Sequence, residues 1–397
     1  MTTSTTSVAP FRIDIPHSAL DDLRSRLDRA RLPTALPGDD WSTGVPVSYL
    51  AELVRYWRNE YDWRAAEAKI NALPQFTTEI DGQRIWFLHF RSRHENATPL
   101  LLTHGWPGSV LEFVGLAPLL TDPADPEDAF HLVVPALPGF GFSGPTSEGG
   151  WTTDRIARTW VELMTRLGYE RFGTHGGDLG ADVSPEVGRV APDRVIGVHT
   201  NGGPGPYPVV QDDNDLAGLT DLELRRVAAV QEFMTEQSGY YTIQATRPQT
   251  LAYGLVDSPV GQLAWIIEKF REWTWPREAL PEEVVSKEWL ITNVMLYWLT
   301  GTAGSAAYVG YAQAGDGGWG EAKPNSGVPT AAIVFAGDVG VRRFSETENT
   351  IVRWVDVDDG GHFAALEQPD RLAADMREFF RSLTSTRVRP AKTAGRR

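Results

Sequence analysis

One aspartate, Asp178, lies in a run of small residues, Gly176-Gly177-Asp178-Leu179-Gly180, directly after an apolar segment. Small neighbours around one reactive residue, between a strand and a helix, are typical of a nucleophile elbow, a strained turn that lifts one side chain into a cleft. A carboxylate needs no base to deprotonate it at neutral pH, so Asp178 could attack an alkyl carbon and form an ester. The alternative is a glycine-rich turn in which Asp178 only caps the next helix.

A second motif, His104-Gly105-Trp106-Pro107-Gly108, follows the apolar run at residues 100–102. In hydrolases with a nucleophile elbow, the loop after this strand supplies one backbone N–H group to the oxyanion hole, and the residue after the nucleophile supplies the other. The pattern therefore assigns the two donors to Trp106 and Leu179. An ordinary Gly-Pro turn is the alternative.

A histidine and a second aspartate complete the set. His362 lies in Gly360-Gly361-His362-Phe363, after the apolar segment 351–357, and Asp338 follows the apolar run 331–335. Histidine suits a base that must take a proton from water, and Asp338 is placed to orient it. Each residue alone is more often a cap, a core residue or a turn residue. The order nucleophile, acid, histidine at successive strand ends is that of a catalytic triad, so we predict the triad Asp178, Asp338 and His362.

The elements that must position these residues follow from the apolar pattern. Short apolar runs that end in glycine-rich turns indicate buried parallel strands, and open α/β sheets bind ligands at the carboxyl ends of such strands. We predict the α/β class: an α/β-hydrolase fold with a mostly parallel central sheet, an inserted helical lid and an N-terminal extension. The predicted divisions are an N-terminal segment 1–92, a first core part 93–203, a lid 204–325, a second core part 326–384 and a basic tail 385–397.

Periodicity also gives approximate element positions. The predicted strands lie at residues 84–90, 100–102, 132–134, 171–174, 195–198, 331–335 and 351–357. The predicted helices lie at residues 18–33, 50–57, 154–167, 261–273 and 372–383, and residues 301–320 are a glycine-rich segment within the lid.

Composition excludes several classes of function. The 397-residue chain has a net charge of −15 and no cysteine, which excludes disulfides, thiolate catalysis and Cys-ligated metals. We see no phosphate loop or metal motif, and we expect neither a cofactor nor a metal. The acidic balance argues against a nucleic-acid or anionic membrane surface. Since we find no signal peptide and no apolar window of about 18 residues, we expect a soluble, cytoplasmic protein that acts on a small molecule; a homo-oligomer is compatible with the sequence.

With these residues in hand, the chain resembles the microsomal-type epoxide hydrolases over nearly its whole length. The resemblance implies that a small-molecule epoxide is opened by water to a vicinal diol through an ester on Asp178, in detoxification or in antibiotic biosynthesis. The matching blocks include Tyr61-Asp62-Trp63-Arg64 and Ile80-Asp81-Gly82, then His104-Gly105-Trp106-Pro107-Gly108-Ser109, Pro138-Gly139-Phe140-Gly141-Phe142-Ser143, Gly177-Asp178 and Gly361-His362-Phe363-Ala364-Ala365, and in the lid Ser238-Gly239-Tyr240, Asp257-Ser258-Pro259 and Glu268-Lys269-Phe270.

The resemblance also implies two lid tyrosines that hold the epoxide oxygen. Tyr240 matches the first. Counted forward from Gly301, the second falls on Gly310; counted backward from Gly318-Trp319, it falls on Tyr311. We predict Tyr311, with Tyr308 as the alternative one helical turn earlier.

Three positions depart from the family pattern, and other functions stay open at this stage. Leu179 stands where the family usually has Trp, Asp338 fills a slot that is often Glu, and the hydrophobic N-terminal anchor of the mammalian enzyme is absent. A haloalkane or haloacid dehalogenase would use the same nucleophile, but Leu179 offers no indole N–H to a leaving halide. A non-catalytic ligand-binding protein of this fold is the remaining alternative, although it would not need Asp178 and His362 together.

Overall fold

Strands and helices alternate along the chain in the computed structural model, which describes residues 7–210, 213–315 and 323–385. The strands are β1 (Ala9–Pro10), β2 (Gln75–Ile80), β3 (Gln83–Phe90), β4 (Thr98–Thr103), β5 (Phe130–Pro135), β6 (Phe172–Gly176), β7 (Val195–Asn201), β8 (Pro329–Val334) and β9 (Thr350–Asp356). They form one sheet in the order β1-β2-β3-β5-β4-β6-β7-β8-β9. Neighbouring strands are parallel from β5 across to β9 and antiparallel from β1 to β5. The predicted mostly parallel sheet is therefore confirmed.

The helices fall into four groups: before β2, between β4 and β7, in the long insertion between β7 and β8, and after β8. Those of the first two groups are α1 (His17–Asp28), α2 (Val47–Asn59), α3 (Trp63–Asn71), α4 (Ala117–Thr121), α5 (Thr153–Arg166) and α6 (Leu179–Val190). The insertion holds α7 (Asp213–Leu216), α8 (Asp221–Glu232), α9 (Gly239–Thr246), α10 (Pro248–Asp257), α11 (Pro259–Trp273), α12 (Pro281–Val284), α13 (Lys287–Thr300) and α14 (Ala303–Gly315). The chain continues with α15 (Arg342–Ser345), α16 (Ala364–Glu367) and α17 (Pro369–Ser385).

Helices cover both faces of the parallel part of the sheet, which explains its apolar strands. Successive strand residues point to opposite faces. On β6, Thr174 hydrogen-bonds Ser184 of α6, whereas the next position back, Gly173, faces Phe380 of α17. The two helices therefore lie on opposite faces of the strand. Neither face of β6 meets water, and all five of its residues are buried, including the polar Thr174 and His175.

The N-terminal segment is part of the same sheet. Strand β3 pairs antiparallel with β5, and its central residues Trp86, Phe87 and Leu88 are fully buried. The sequence predicted β3 but not β2, because only Phe76 and Ile80 of β2 are apolar, and its other residues, which include the buried Gln75 and Thr78, are polar. The boundary at residue 92 therefore does not separate two independently packed cores.

The insertion between β7 and β8 is helical, as expected for the lid, but its glycine-rich end differs from the prediction. Residues Ala303–Gly315 form helix α14, because alanine is the strongest helix former and outnumbers glycine there. The described residues do not include Gly318-Trp319, from which the second lid tyrosine was counted backward. They also do not include the tail beyond residue 385. Over the described ranges, no helix has both the length and the apolarity to cross a bilayer.

Every strand predicted from the sequence overlaps one strand of the sheet, and each predicted helix overlaps one helix. Helix α1 ends at Asp28, earlier than the apolar spacing suggested. Because β4, β6, β7, β8 and β9 are parallel, their carboxyl ends lie at one edge of the sheet. The loops that carry the candidate chemistry follow four of these strands and meet at that edge.

Candidate active site

Asp178 occupies a sharp turn between β6 and α6 and has backbone angles φ 54° and ψ −126°. A residue with a side chain rarely adopts a positive φ, and the strain of about 1–3 kcal/mol persists only where the surroundings enforce it. Here the turn lies close to the neighbouring strand, because a Cβ at Gly180 would overlap the carbonyl of Thr103. Asp178 precedes the first helical residue, yet its side chain makes no capping hydrogen bond. The carboxylate is therefore free of the capping role that was the alternative.

The carboxylate of Asp178 meets the two predicted N–H donors. The backbone N–H of Trp106 donates to Oδ1 at 2.9 Å. The N–H of Leu179 lies close enough to help lower the pKa of the same carboxyl. Donors fixed beside a carboxyl group can stabilise the negative charge that develops when its carbonyl carbon is attacked. The geometry thus supplies an oxyanion site on the nucleophile itself.

His362 lies between the two aspartates. Its Nε2 is 3.4 Å from Asp178 Oδ2, and its Nδ1 is 3.9 Å from Asp338 Oδ1. The backbone fixes the ring from the lid side, because the N–H of His362 donates to the carbonyl of Trp273 at 2.9 Å. The indole of Trp273 also lies against the imidazole, with ring centroids 5.0 Å apart. The three residues of the predicted triad are therefore brought together.

The electrostatics of this group favour an ion pair. Burial opposes ionisation of Asp178, but the hydrogen bond and charge of His362, with the N–H groups of Leu179 and Trp106, hold the pKa of its carboxyl below the ordinary value. Burial lowers the pKa of His362, whereas Asp178, Asp338 and Glu112 raise it, and the result is a pKa of about 9. Burial raises the pKa of Asp338 to about 6, although His362 opposes the shift. At neutral pH Asp178 is thus a carboxylate beside an imidazolium.

Tyr240 projects from helix α9 of the lid toward this group. Its ring stacks on Trp106 at a centroid distance of 5.1 Å and meets Trp273 edge-on at 5.4 Å, so two tryptophan rings hold it beside the triad. Burial, and then the charge of Asp178, raises the pKa of Tyr240 well above the ordinary value. The phenol therefore keeps its proton and can act as a hydrogen-bond donor.

Two cavities share Asp178, Asp338 and His362 in their walls, and they leave about 90 Å³ and about 110 Å³ open to the centre of a water molecule. One extends under the lid, where its lining includes Val230, Phe233, Tyr240 and Trp273. The other extends along the loop after β7, where glycines, prolines and Tyr207 line it. The nucleophile is thus accessible from two cavities whose walls are both polar and apolar.

Tyr311, the predicted second lid tyrosine, does not reach this space. It is 45 % exposed, stacks on Tyr308 with ring centroids 5.6 Å apart, and lines a separate surface cavity with residues 146–149. Positions 308 and 311 are one helical turn apart and share a face of α14, while Gly310 faces Tyr241 and Gln244 of α9. Neither Tyr311 nor Tyr308 therefore fits the role of a phenol at the nucleophile in this structure.

Three residues near the nucleophile escaped the sequence analysis. Tyr207 lines both of these cavities, and Trp273 contacts His362. Glu112 lies close enough to raise the pKa of His362 and to have its own pKa raised by Asp178. For Glu112 there was a signal: Ser109 and Glu112 form a capping-box pattern, although that pattern indicates only a helical turn. Tyr207 and Trp273 had none, because each comes from a segment outside the predicted strand ends.

At the carboxyl edge of a parallel sheet, a strained elbow presents a carboxylate to two N–H donors and an Asp–His pair. This combination defines an α/β hydrolase with a carboxylate nucleophile. Comparison with known proteins agrees. The sequence model described as "Epoxide hydrolase N terminus" matches residues 8–113, and that of the "alpha/beta hydrolase fold" matches residues 98–246.

Relatives match along nearly the whole chain. "Putative epoxide hydrolase" of Stigmatella aurantiaca is 46% identical over 384 residues, which are 95% of this chain and 85% of the relative. "Epoxide hydrolase 1" of Oryctolagus cuniculus is 33% identical, with coverage of 94% and 88%. The crystal structure of the juvenile hormone epoxide hydrolase of Bombyx mori superposes with a TM-score of 0.86 at 29% identity, covering 96% of each chain. The chain belongs to the epoxide hydrolase family, and it is an enzyme of the hydrolase class.

Proposed function

We propose that this enzyme opens an epoxide with water and that Asp178 forms the covalent ester intermediate. One observation carries the proposal: the ionised carboxylate of Asp178 has Oδ1 on the Trp106 N–H group, while Oδ2 lies beside His362 in a cavity that Tyr240 also lines. The nucleophile Asp178, the proton donor Tyr240 and the base His362 thus line one cavity. The phenol favours an oxygen leaving group over the halide of a dehalogenase.

In the first step, a carboxylate oxygen of Asp178 bonds to a ring carbon while the carbon–oxygen bond of the epoxide breaks. Tyr240 donates a hydrogen bond to the departing oxygen and stabilises the developing alkoxide. We propose Tyr207 as the second phenol, because it lines both cavities beside Asp178, whereas Tyr311 does not. The proton that finally neutralises the alkoxide is the one held by His362, so the step leaves a neutral imidazole.

Esterification itself converts His362 into a base. Its pKa of about 9 depends on the charge of Asp178, and that charge disappears when the ester forms. Because burial then disfavours the charged form, the imidazole does not regain a proton from solvent at once. The neutral ring can therefore take one from the attacking water. The hydroxide adds to the carbonyl carbon of Asp178, the N–H groups of Trp106 and Leu179 hold the oxyanion, and the diol leaves with the proton returned by His362. Asp338 keeps the imidazole oriented through Nδ1.

The cavity under the lid indicates the class of substrate. Its lining combines phenylalanine, tryptophan, tyrosine and valine side chains with charged groups such as Glu232 and Arg277. We therefore propose an aryl or bulky apolar epoxide, with its ring oxygen directed at Tyr240.

The test is isotopic. In a single turnover of an aryl epoxide such as styrene oxide in heavy-oxygen water, label should enter the side chain of Asp178. Asp182, which lies four residues further along and lines one of the same cavities, serves as an internal control and should stay unlabelled. In His362→Ala, mass spectrometry should find the substrate adduct trapped on Asp178. Label confined to the diol, and an unmodified His362→Ala protein, would mean that water attacks the epoxide directly.

A further inference from the structure

A third and smaller cavity also reaches Asp178 and His362. It is enclosed by Trp106, Glu112 and residues 363–365, and none of the described lid residues lines it. About 10 Å³ is open to the centre of a water molecule, which is the size of a single water site. The cavity is therefore too small for substrate and large enough for one water.

The walls of this cavity offer the polar partners that a buried water requires. A buried water usually makes two to four hydrogen bonds. Asp178, His362, Glu112 and Asn201 supply polar groups, and the remaining lining is apolar or backbone. A water there would lie between the imidazole and the carboxyl carbon of the ester, on the side away from the lid.

Glu112 is held in place by the loop that carries Trp106. Its Oε1 accepts the N–H of Ser109 at 3.1 Å, and the carboxyl lies so close to the backbone that a Cβ at Gly108 would overlap it. No other protein hydrogen bond to this carboxyl is found among the described residues. Capping alone does not require such burial, since the corresponding Thr220–Glu223 box on α8 is exposed to solvent.

We propose that this cavity holds the water that hydrolyses the ester and that Glu112 positions it against His362. The inference deepens the proposed function and rests on it. In the second step the water gives one proton to His362 Nε2, while its other hydrogen is held by a Glu112 oxygen. Its lone pair then faces the carbonyl carbon of Asp178. The new carbon–oxygen bond forms there, and the bond to the diol oxygen breaks as described above.

The protonation state of Glu112 agrees with this role. Burial raises the pKa of its carboxyl to about 8; Asp178 adds to the shift and His362 opposes it. At neutral pH the group is therefore uncharged and does not compete with Asp178 for the imidazolium. It can orient a water molecule without taking over as the base.

The experiment separates the two chemical steps. Wild type and Glu112→Leu are mixed with styrene oxide in single turnover, quenched with acid, and followed by mass spectrometry of the Asp178 adduct. We expect adduct formation within about threefold of wild type and adduct decay slowed by about 100-fold, the size of effect that misplacement of a reacting group produces. Glu112→Gln, which keeps a carbonyl oxygen, should restore decay to within about tenfold of wild type.

Ser109→Ala is the matched control, because it weakens the same turn but leaves the carboxyl of Glu112 in place. It should not slow adduct decay selectively. If Glu112→Leu does not fold, Glu112→Asp decides, since withdrawing the carboxyl by one methylene should also slow decay and spare formation. Adduct decay at the wild-type rate in the Glu112 variants, or equal losses in both steps that Ser109→Ala reproduces, would overturn the inference.

Failure of the proposed function has a different signature. In that case neither wild type nor His362→Ala forms an adduct on Asp178, and the role of Glu112 falls with it. If adduct forms and decays in wild type, and the Glu112 variants form and lose it at the wild-type rates, only the positioning role is wrong.

Discussion

The molecule contains two Asp–His arrangements that differ in the distances between their side chains. In the core, His199 Nε2 is 3.0 Å from Asp375 Oδ2, and the other ring nitrogen, Nδ1, is 2.9 Å from His175 Nδ1. At the edge of the sheet, His362 lies 3.4 Å from Asp178 and 3.9 Å from Asp338. In the core group both ring nitrogens of His199 lie within hydrogen-bond distance of a partner, whereas the distances at the edge are longer.

The difference follows from what surrounds each group. Arg353 also bonds to Asp375 and extends the core chain toward the surface, where Glu378 takes part. Burial, followed by the charge of His199, lowers the pKa of His175 far below the ordinary value, so the ring of His175 is neutral. His362 instead faces cavities on two sides. A closed arrangement stabilises the fold, and an open one leaves room for a substrate and a water between its members.

The largest effect should come from removing the nucleophile. In Asp178→Ala, turnover of an epoxide should fall by at least about 10⁴-fold, as when a member of a catalytic triad is lost. The variant should still fold, because the strained turn is enforced by its surroundings and a buried charge has been removed. Steady-state assays and thermal unfolding measure the two outcomes. Turnover near the wild-type value would contradict the covalent mechanism.

The matched change in the core should have the opposite outcome. Asp375→Ala removes the partner of the buried His199 and of Arg353, so the free energy of unfolding should fall by about 3 kcal/mol, which is typical of breaking a buried pair. The turnover of the protein that remains folded should not change, because Asp375 lines none of the cavities that Asp178 lines. Denaturant unfolding together with assays at low temperature tests this. An unaffected midpoint would show that the closed group is not a stabilising element.

A smaller effect should distinguish the candidate phenols. Tyr207→Phe should slow adduct formation by about tenfold, the loss expected for one of two hydrogen bonds to the developing alkoxide, and leave adduct decay unchanged. Tyr311→Phe is the matched control on α14 and should leave both steps unchanged. If Tyr311→Phe slows formation and Tyr207→Phe does not, α14 must move toward the nucleophile during the reaction, and the assignment made here is reversed.

The sequence predicts a site residue well when its position is set by the end of a strand, and poorly when it depends on how a helix is oriented. Asp178, Asp338 and His362 follow strands, and parallel strands bring their carboxyl ends to one edge whatever the details of packing. Tyr311 is different, because a shift of one residue on a helix turns a side chain by about 100°. Gly310 and not Tyr311 faces α9. Glu112 could not be placed either, since a Ser-x-x-Glu pattern predicts a cap and says nothing of the cavity behind it.

The smallest effect, and the one that sharpens the comparison most, lies in the pH dependence of stability. The pKa of His362 is raised in the folded state from 6.5 to about 9. A raised pKa contributes stability that is fully present below 6.5 and is lost as the pH rises through about 9. The pH dependence of the core pair has the opposite sign, because the lowered pKa of Asp375 contributes stability above pH 3.8 that is lost as the pH falls.

We expect the melting temperature of wild type to fall by a few degrees between pH 7 and pH 10 relative to Asp178→Ala, in which His362 has lost the partner that holds its proton. Alkaline titrations of groups far from Asp178 are common to both proteins and cancel in the difference. Glu112, whose pKa of about 8 is raised in part by Asp178, adds a difference of the same sign. Parallel curves for the two proteins across that range would mean that Asp178 and His362 are not an ion pair in the resting enzyme.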